Sequence, residues 1–134
     1  MTRTEAREQA FILVFEKCFS ALEIDEIIEA AKEARNFEID SDGYILSAFR
    51  GVYNSLEEID SIIKENLSGW KIERISKVSL AILRLAVYEI KYLDSIPTGA
   101  SINEAVELAK KYSIDSDAAF INGVLGTIAR KPVI

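Results

Sequence analysis

Apolar residues recur along this chain at intervals of three and four, and hardly anywhere at intervals of two. Ala6, Ala10, Leu13, Val14 and Cys18 form one such stripe, the pattern of a helix with one buried face. Thr2-Arg3-Thr4-Glu5 stands ahead of it in the form of a capping box, with Thr2 as N-cap and Glu5 as its N3 partner. A second helix is predicted from Asp25, with Ile24, Ile27, Ile28 and Ala31 on one side and Asn36 at its end. A third starts at Asp40 to Asp42 and carries Ile45, Ala48, Phe49 and Val52 inward. Ser55-Leu56-Glu57-Glu58 has the form of a second capping box and opens a fourth helix around Ile59, Ile62, Ile63 and Leu67. Ser68-Gly69 is the clearest stop so far, and it divides the chain into halves 1–69 and 70–134.

The second half follows the same rhythm. From Arg74 to Leu93, apolar residues such as Val78, Ala81, Ile82, Leu85, Val87 and Ile90 occupy more than one face. That predicts a central, largely buried helix, ended by Asp94-Ser95-Ile96-Pro97. Ser101-Ile102-Asn103-Glu104 reads as a third capping box. Its helix turns Ala105, Val106, Leu108 and Ala109 inward and carries Lys110 and Lys111 in its last turn. Asp115 or Ser116 is expected to cap a final helix through Phe120, Val124, Leu125 and Ile128. Both prolines, Pro97 and Pro132, fall where helices should have stopped. The expected fold is all-α, about seven helices in two packed helical subdomains.

Composition narrows the chemistry. The 134 residues include no histidine and one cysteine, Cys18. His–Ser and His–Cys catalysis, His-bearing zinc sites, internal disulfides and cysteine metal clusters are thereby excluded. Carboxylate pairs such as Glu57-Glu58 and Asp115/Asp117 lack a nucleophile, a phosphate loop or a metal-ligand set beside them, so the expectation is no enzyme, no cofactor and no metal. The longest apolar run, Ala10 to Phe15, is too short to span a bilayer. A cytoplasmic protein without a membrane segment is expected. The net charge is −6, unevenly spread. Residues 36–69 hold two basic and seven acidic side chains, whereas residues 70–134 hold nine and seven. A site for a polyanion must therefore be local, near Arg3 and Arg7 or near Lys110 and Lys111.

From Trp70 onward the pattern becomes specific. Trp70-Lys71-Ile72-Glu73-Arg74-Ile75 leads into Ala81-Ile82-Leu83-Arg84-Leu85-Ala86-Val87-Tyr88-Glu89-Ile90. Ile96-Pro97, Ile102-Asn103-Glu104-Ala105-Val106-Glu107-Leu108-Ala109-Lys110 and Phe120-Ile121-Asn122-Gly123-Val124-Leu125 follow in order. Together with Ala6-Arg7-Glu8 and Ile59-Asp60, this set resembles the NusB family across essentially the whole chain. The resemblance implies a helical antitermination protein that pairs with NusE, a small-subunit ribosomal protein. It also implies binding to boxA RNA of nascent transcripts, notably from ribosomal RNA operons, within an RNA polymerase antitermination complex. By the same resemblance, RNA meets the basic start of the first helix and aromatic residues near the start of the last. The matching positions are Arg3, Arg7, Phe15, Tyr112, Ser116 and Phe120. Thr4 and Glu5 stand where members are often basic, and Phe15 where many carry tyrosine. Some relatives form homodimers that cover the RNA face, so a homodimer is a further expectation.

Several of these residues have plainer readings. Arg3 and Arg7 lie four apart and can share a helix face, but such pairs are also common on solvated surfaces. Phe15 and Phe120 at helical spacing fit a core as well as a stacking platform. Arg84 to Glu89 reads as architecture, Gly123 as a position of close helix packing, and Cys18 as a small buried residue. Two alternatives remain beside the RNA-binding reading: a protein-interaction module with weak RNA affinity, and an RNA-delivery domain for an enzyme that modifies ribosomal RNA.

Overall fold

The computed structural model describes residues 1–34 and 43–131. Among these residues there are seven α-helices and no strand: α1 (Arg3–Lys17), α2 (Ile24–Ala34), α3 (Tyr44–Asn54), α4 (Leu56–Glu65), α5 (Lys77–Tyr92), α6 (Thr98–Tyr112) and α7 (Asp115–Arg130). A short 3-10 turn, Ile72–Arg74, precedes α5. The all-α expectation is met. The predicted boundaries at Asn36 and at Asp40 to Asp42, and Pro132, lie outside the described residues.

Helix α5 holds the fold together. It packs against α1, α3 and α4 from the first half and against α6 and α7 from the second. Its sequence explains the position: Leu80 to Leu83 and Leu85 to Tyr88 are all buried, leaving no broad polar face. Ser76 caps it, its hydroxyl accepting from the Ser79 N–H at 3.1 Å. The helix therefore begins at Lys77, later than Arg74. Beside it, α3 comes unusually close. A Cβ at Gly51 would lie 2.4 Å from the Tyr88 ring, so this crossing requires glycine. Gly69, with φ of +78°, makes the predicted stop after α4.

The three capping-box motifs fare differently. Thr2 and Glu5 form one in full: Glu5 N–H donates to Thr2 Oγ1 at 3.1 Å, and Thr2 N–H donates to Glu5 Oε1 at 2.9 Å. Ser55 marks the break between α3 and α4 but makes no side-chain cap, since its backbone (φ −118°, ψ 22°) is not extended. Ser101 caps nothing either. Helix α6 already begins at Thr98, directly after Pro97, and Ser101 Oγ donates to Glu89 Oε1 at 2.7 Å. The stretch Thr98-Gly99-Ala100, which reads as a flexible approach, is the first turn of α6. At α7, Ile114 occupies the N-cap position without a side-chain bond, so neither Asp115 nor Ser116 caps it. The Ser113 hydroxyl instead donates to Asp117 in the first turn.

Gly123 is not a packing glycine, since no atom beyond its own surroundings lies within 4 Å of a Cβ built there. Cys18 sits at the C-cap of α1, half-buried, and its thiol donates to the Val14 carbonyl at 3.6 Å. It is a cap more than a core residue. Arg84 matches its architectural reading: its Nε and Nη2 each donate to Asp60 at 2.9 Å, a bidentate tie between α5 and α4. Among the described residues no helix is long and apolar enough to cross a membrane.

Candidate nucleic-acid interface

Arg7 departs most from expectation. It was expected to present a cation to solvent beside Arg3, but it is 5% exposed and faces inward. The reason is its register on α1: Arg7 shares a stripe with Ala10, Phe11 and Val14, at the three-, four- and seven-residue spacings that line the core. Its Nε donates to Glu89 Oε2 at 2.7 Å, and Nη1 lies 3.6 Å from Glu104 Oε2. Glu89 also accepts from the Tyr44 and Ser101 hydroxyls. The buried carboxylate thus gathers donors from α1, α3 and α6 onto α5. Burial works against the charge on Arg7, but the hydrogen bond and charge of Glu89 outweigh it and raise its pKa. Burial and the Glu89 charge push the Tyr44 phenol well above its ordinary range. Arg7 is thus held in a buried ion pair with Glu89.

The other candidates fall in two neighbourhoods. The first lies where the last turn of α6 meets α1. Tyr112, 37% exposed, packs its ring 5.0 Å from the buried Phe11 ring. Phe11 stacks on Phe15 at 6.1 Å, and Phe15 meets Phe19 edge-on at 5.1 Å. Phe15 is half-buried and Phe19 is 66% exposed, so the row of rings runs from the core out to solvent. The Tyr112 hydroxyl donates to Glu8 Oε1 at 2.7 Å, and Lys111 Nζ donates to both Glu8 oxygens at 2.7 and 2.9 Å. These two donors hold the Glu8 carboxyl below the usual carboxylate range. Burial and the Glu8 contact push the Tyr112 phenol up to about 12. Arg3, at the start of α1, is exposed, with its guanidinium 4.6 Å over the Tyr44 ring.

The second neighbourhood is a cavity of about 220 Å3 between the start of α5 and the start of α7. Ser116 and Phe120, both expected from the sequence, line it. Six further residues line it, and among them Trp70, Arg74, Ser79 and Asp117 were not anticipated there. Trp70 is 60% exposed and meets the half-buried Phe120 edge-on at 5.9 Å. Ser79 is 2% exposed, and its hydroxyl has no hydrogen-bond partner among the described residues. A cleft lined by an indole and a phenyl, with an arginine and an aspartate beside them, is suited to a flat ring bearing polar edges. Trp70 and Arg74 stand in the Trp70-to-Ile75 block, which reads in the sequence only as a lead-in to α5. Nothing in one dimension shows that Trp70 is left exposed.

Residues 4–130 match the NusB family. Transcription antitermination protein NusB of Clostridium botulinum (strain Loch Maree / Type A3) is 44% identical over 139 residues, spanning 94% of this chain and 98% of that protein. Among solved structures, NusB of T. maritima superposes with a TM-score of 0.88 at 30% identity, covering 98% of this chain and 92% of that one. A NusB crystallised with NusE and dsRNA superposes with a TM-score of 0.85 at 32% identity, covering 97% of this chain and 98% of that one. With its sequence matched almost end to end and the same helical architecture, the chain belongs to the NusB family of transcription antitermination proteins.

Proposed function

We propose that this protein is a non-catalytic cytoplasmic adaptor that pairs with NusE and binds boxA RNA of nascent transcripts, notably those of ribosomal RNA operons. It would act within an RNA polymerase antitermination complex. The observation that carries this reading is its likeness, over 97% of the chain, to a NusB seen with NusE and RNA. The surface adds support. Arg3, Phe15, Tyr112, Ser116 and Phe120 of the expected set are joined by Trp70, Arg74, Ser79 and Lys111. Unpaired bases stack on rings such as Trp70 and Phe120, while Arg74 and Lys111 meet phosphates. Few cations serve this face, so much of the affinity must come from stacking and from NusE.

The test is binding of a short, labelled boxA RNA with and without NusE. Tight binding is expected only with NusE present. Phe120→Ala should weaken RNA binding by the complex roughly ten- to a hundredfold while leaving the NusE affinity unchanged. RNA binding that ignores both NusE and Phe120 would reject the site.

The burial of Arg7 favours one rival, a NusE-binding module with weak RNA affinity. NusE binding without any RNA gain would select it. Neither the RNA-delivery role nor a homodimer draws comparable support. Sedimentation of the protein alone decides the homodimer, which is expected to come apart when NusE or RNA is added.

A further inference from the structure

Glu8 is an acidic residue in the middle of a surface read as RNA-binding, and simple electrostatics would make it unfavourable there. Its geometry suggests a different role. One carboxylate accepts from Lys111 Nζ through both oxygens, at 2.7 and 2.9 Å, and from the Tyr112 hydroxyl at 2.7 Å. Lys111 and Tyr112 are neighbours in the last turn of α6, 103 and 104 positions away in the chain. The Lys111 ammonium sits 5.5 Å from the Tyr112 ring centre. On its other contact, that ring rests on Phe11, which is buried on α1. Phe11 and Glu8 lie three apart on α1, so one face of that helix holds both the ring and the phenol of Tyr112. The arrangement leaves Tyr112 37% exposed and the Lys111 side chain 60% exposed.

We propose that Glu8 is a positioning residue for RNA binding: it holds the Tyr112 ring and the Lys111 ammonium in one fixed arrangement, ready to receive an unpaired base and its phosphate. This rests on the RNA-binding reading above. The side chains need the restraint. A lysine and a tyrosine at a helix C-terminus would otherwise lose rotamer freedom on binding RNA, and prior fixing removes that cost. Two of the three ammonium donors are used by Glu8, which leaves one for a phosphate oxygen.

The sign of one substitution separates this role from plain repulsion. If Glu8 merely repels phosphate, Glu8→Ala strengthens RNA binding. If it positions Tyr112 and Lys111, Glu8→Ala weakens binding by the NusE-containing complex, roughly tenfold if a base stack is loosened. Glu8→Gln keeps an acceptor for both donors and should recover part of the loss. In a Tyr112→Ala/Lys111→Ala background, Glu8→Ala should cost nothing further, because its clients are gone. Glu107→Gln, which removes a carboxylate paired with Lys110 on the same helix, is the charge control and should leave binding unchanged. Equal or tighter RNA binding by Glu8→Ala, or a loss that persists in the double-mutant background, overturns the proposal while sparing the functional reading. Wild-type complex that binds no boxA RNA overturns both.

Discussion

At Arg7 and Glu89 two charges have left water, with side chains 7% and 1% exposed. Such a pair adds little compared with apolar residues of equal shape, but losing one member leaves the other charged and buried. Arg7→Ala should therefore destabilise the fold by about 3–5 kcal/mol, read from the urea midpoint at constant slope. A loss below about 1 kcal/mol would mean that the Tyr44 and Ser101 hydroxyls suffice to hold the carboxylate. The contacts of Glu8 carry a different signature, in pH. Its carboxyl is lowered in the folded chain by Lys111 and then Tyr112, so the unfolded chain takes up its proton first as pH falls. Its contribution is complete above the ordinary carboxyl value of about 4.3 and fades as pH drops through the folded value. The Tyr112 phenol, raised to about 12 by burial and then by Glu8, contributes fully below its ordinary value of about 10 and fades as pH climbs. The melting difference between wild type and Glu8→Gln should thus be flat from about pH 5 to about pH 9 and shrink in acid. A difference that persists unchanged in acid would mean that folding does not lower the Glu8 carboxyl.

Helices α3 and α5 meet where Gly51 faces the Tyr88 ring, and no Cβ fits between them. Tyr88 is itself held against Tyr92, with ring centres 5.6 Å apart, so it has little room to withdraw. Gly51→Ala should cost about 1–3 kcal/mol by thermal or urea unfolding. A stabilised variant would show that the ring moves aside freely. Periodicity made the helices legible: seven apolar stripes became seven helices, with the central one placed correctly. Ends were less legible. The Ser-x-x-Glu pattern arises readily in amphipathic helices, so Ser55 and Ser101 imitated Thr2 without its extended backbone. Ser101 stands inside α6 because Pro97 starts the helix earlier, and its hydroxyl serves Glu89 in place of a cap. The candidate site was half legible. Ser116, Phe120 and Tyr112 came from resemblance, and they sit on the surface or line the cleft. The burial of Arg7 was legible too, since its spacing to Ala10, Phe11 and Val14 puts it on the buried stripe. Trp70, Arg74 and Ser79 come together with α7 only through the tertiary fold, which no local pattern encodes.

The whole molecule is acidic, with a net charge of −6, and it offers RNA few cations. Arg3, Arg74 and Lys111 are those named on the candidate face. At about 0.7 counterions released per phosphate on a single strand, three contacts give a slope near −2 for log affinity against log salt. Titrating the protein's own share of binding, by comparing NusE complexes of wild type and Arg3→Ala/Arg74→Ala/Lys111→Ala, should show a slope difference of about 2. No difference would place the phosphates elsewhere. The tie between Arg7 and Glu89 spans 82 positions, and those from Thr4 to Glu104 and from Glu8 to Lys111 span 100 and 103. During synthesis on a ribosome, the first helix emerges long before any of these partners has been made. Its basic side chain on the apolar stripe stays unmatched until the later helices arrive, so a prematurely terminated chain cannot close this surface. The first helix of an antitermination factor thus has to wait for α6 to be translated before these ties can close.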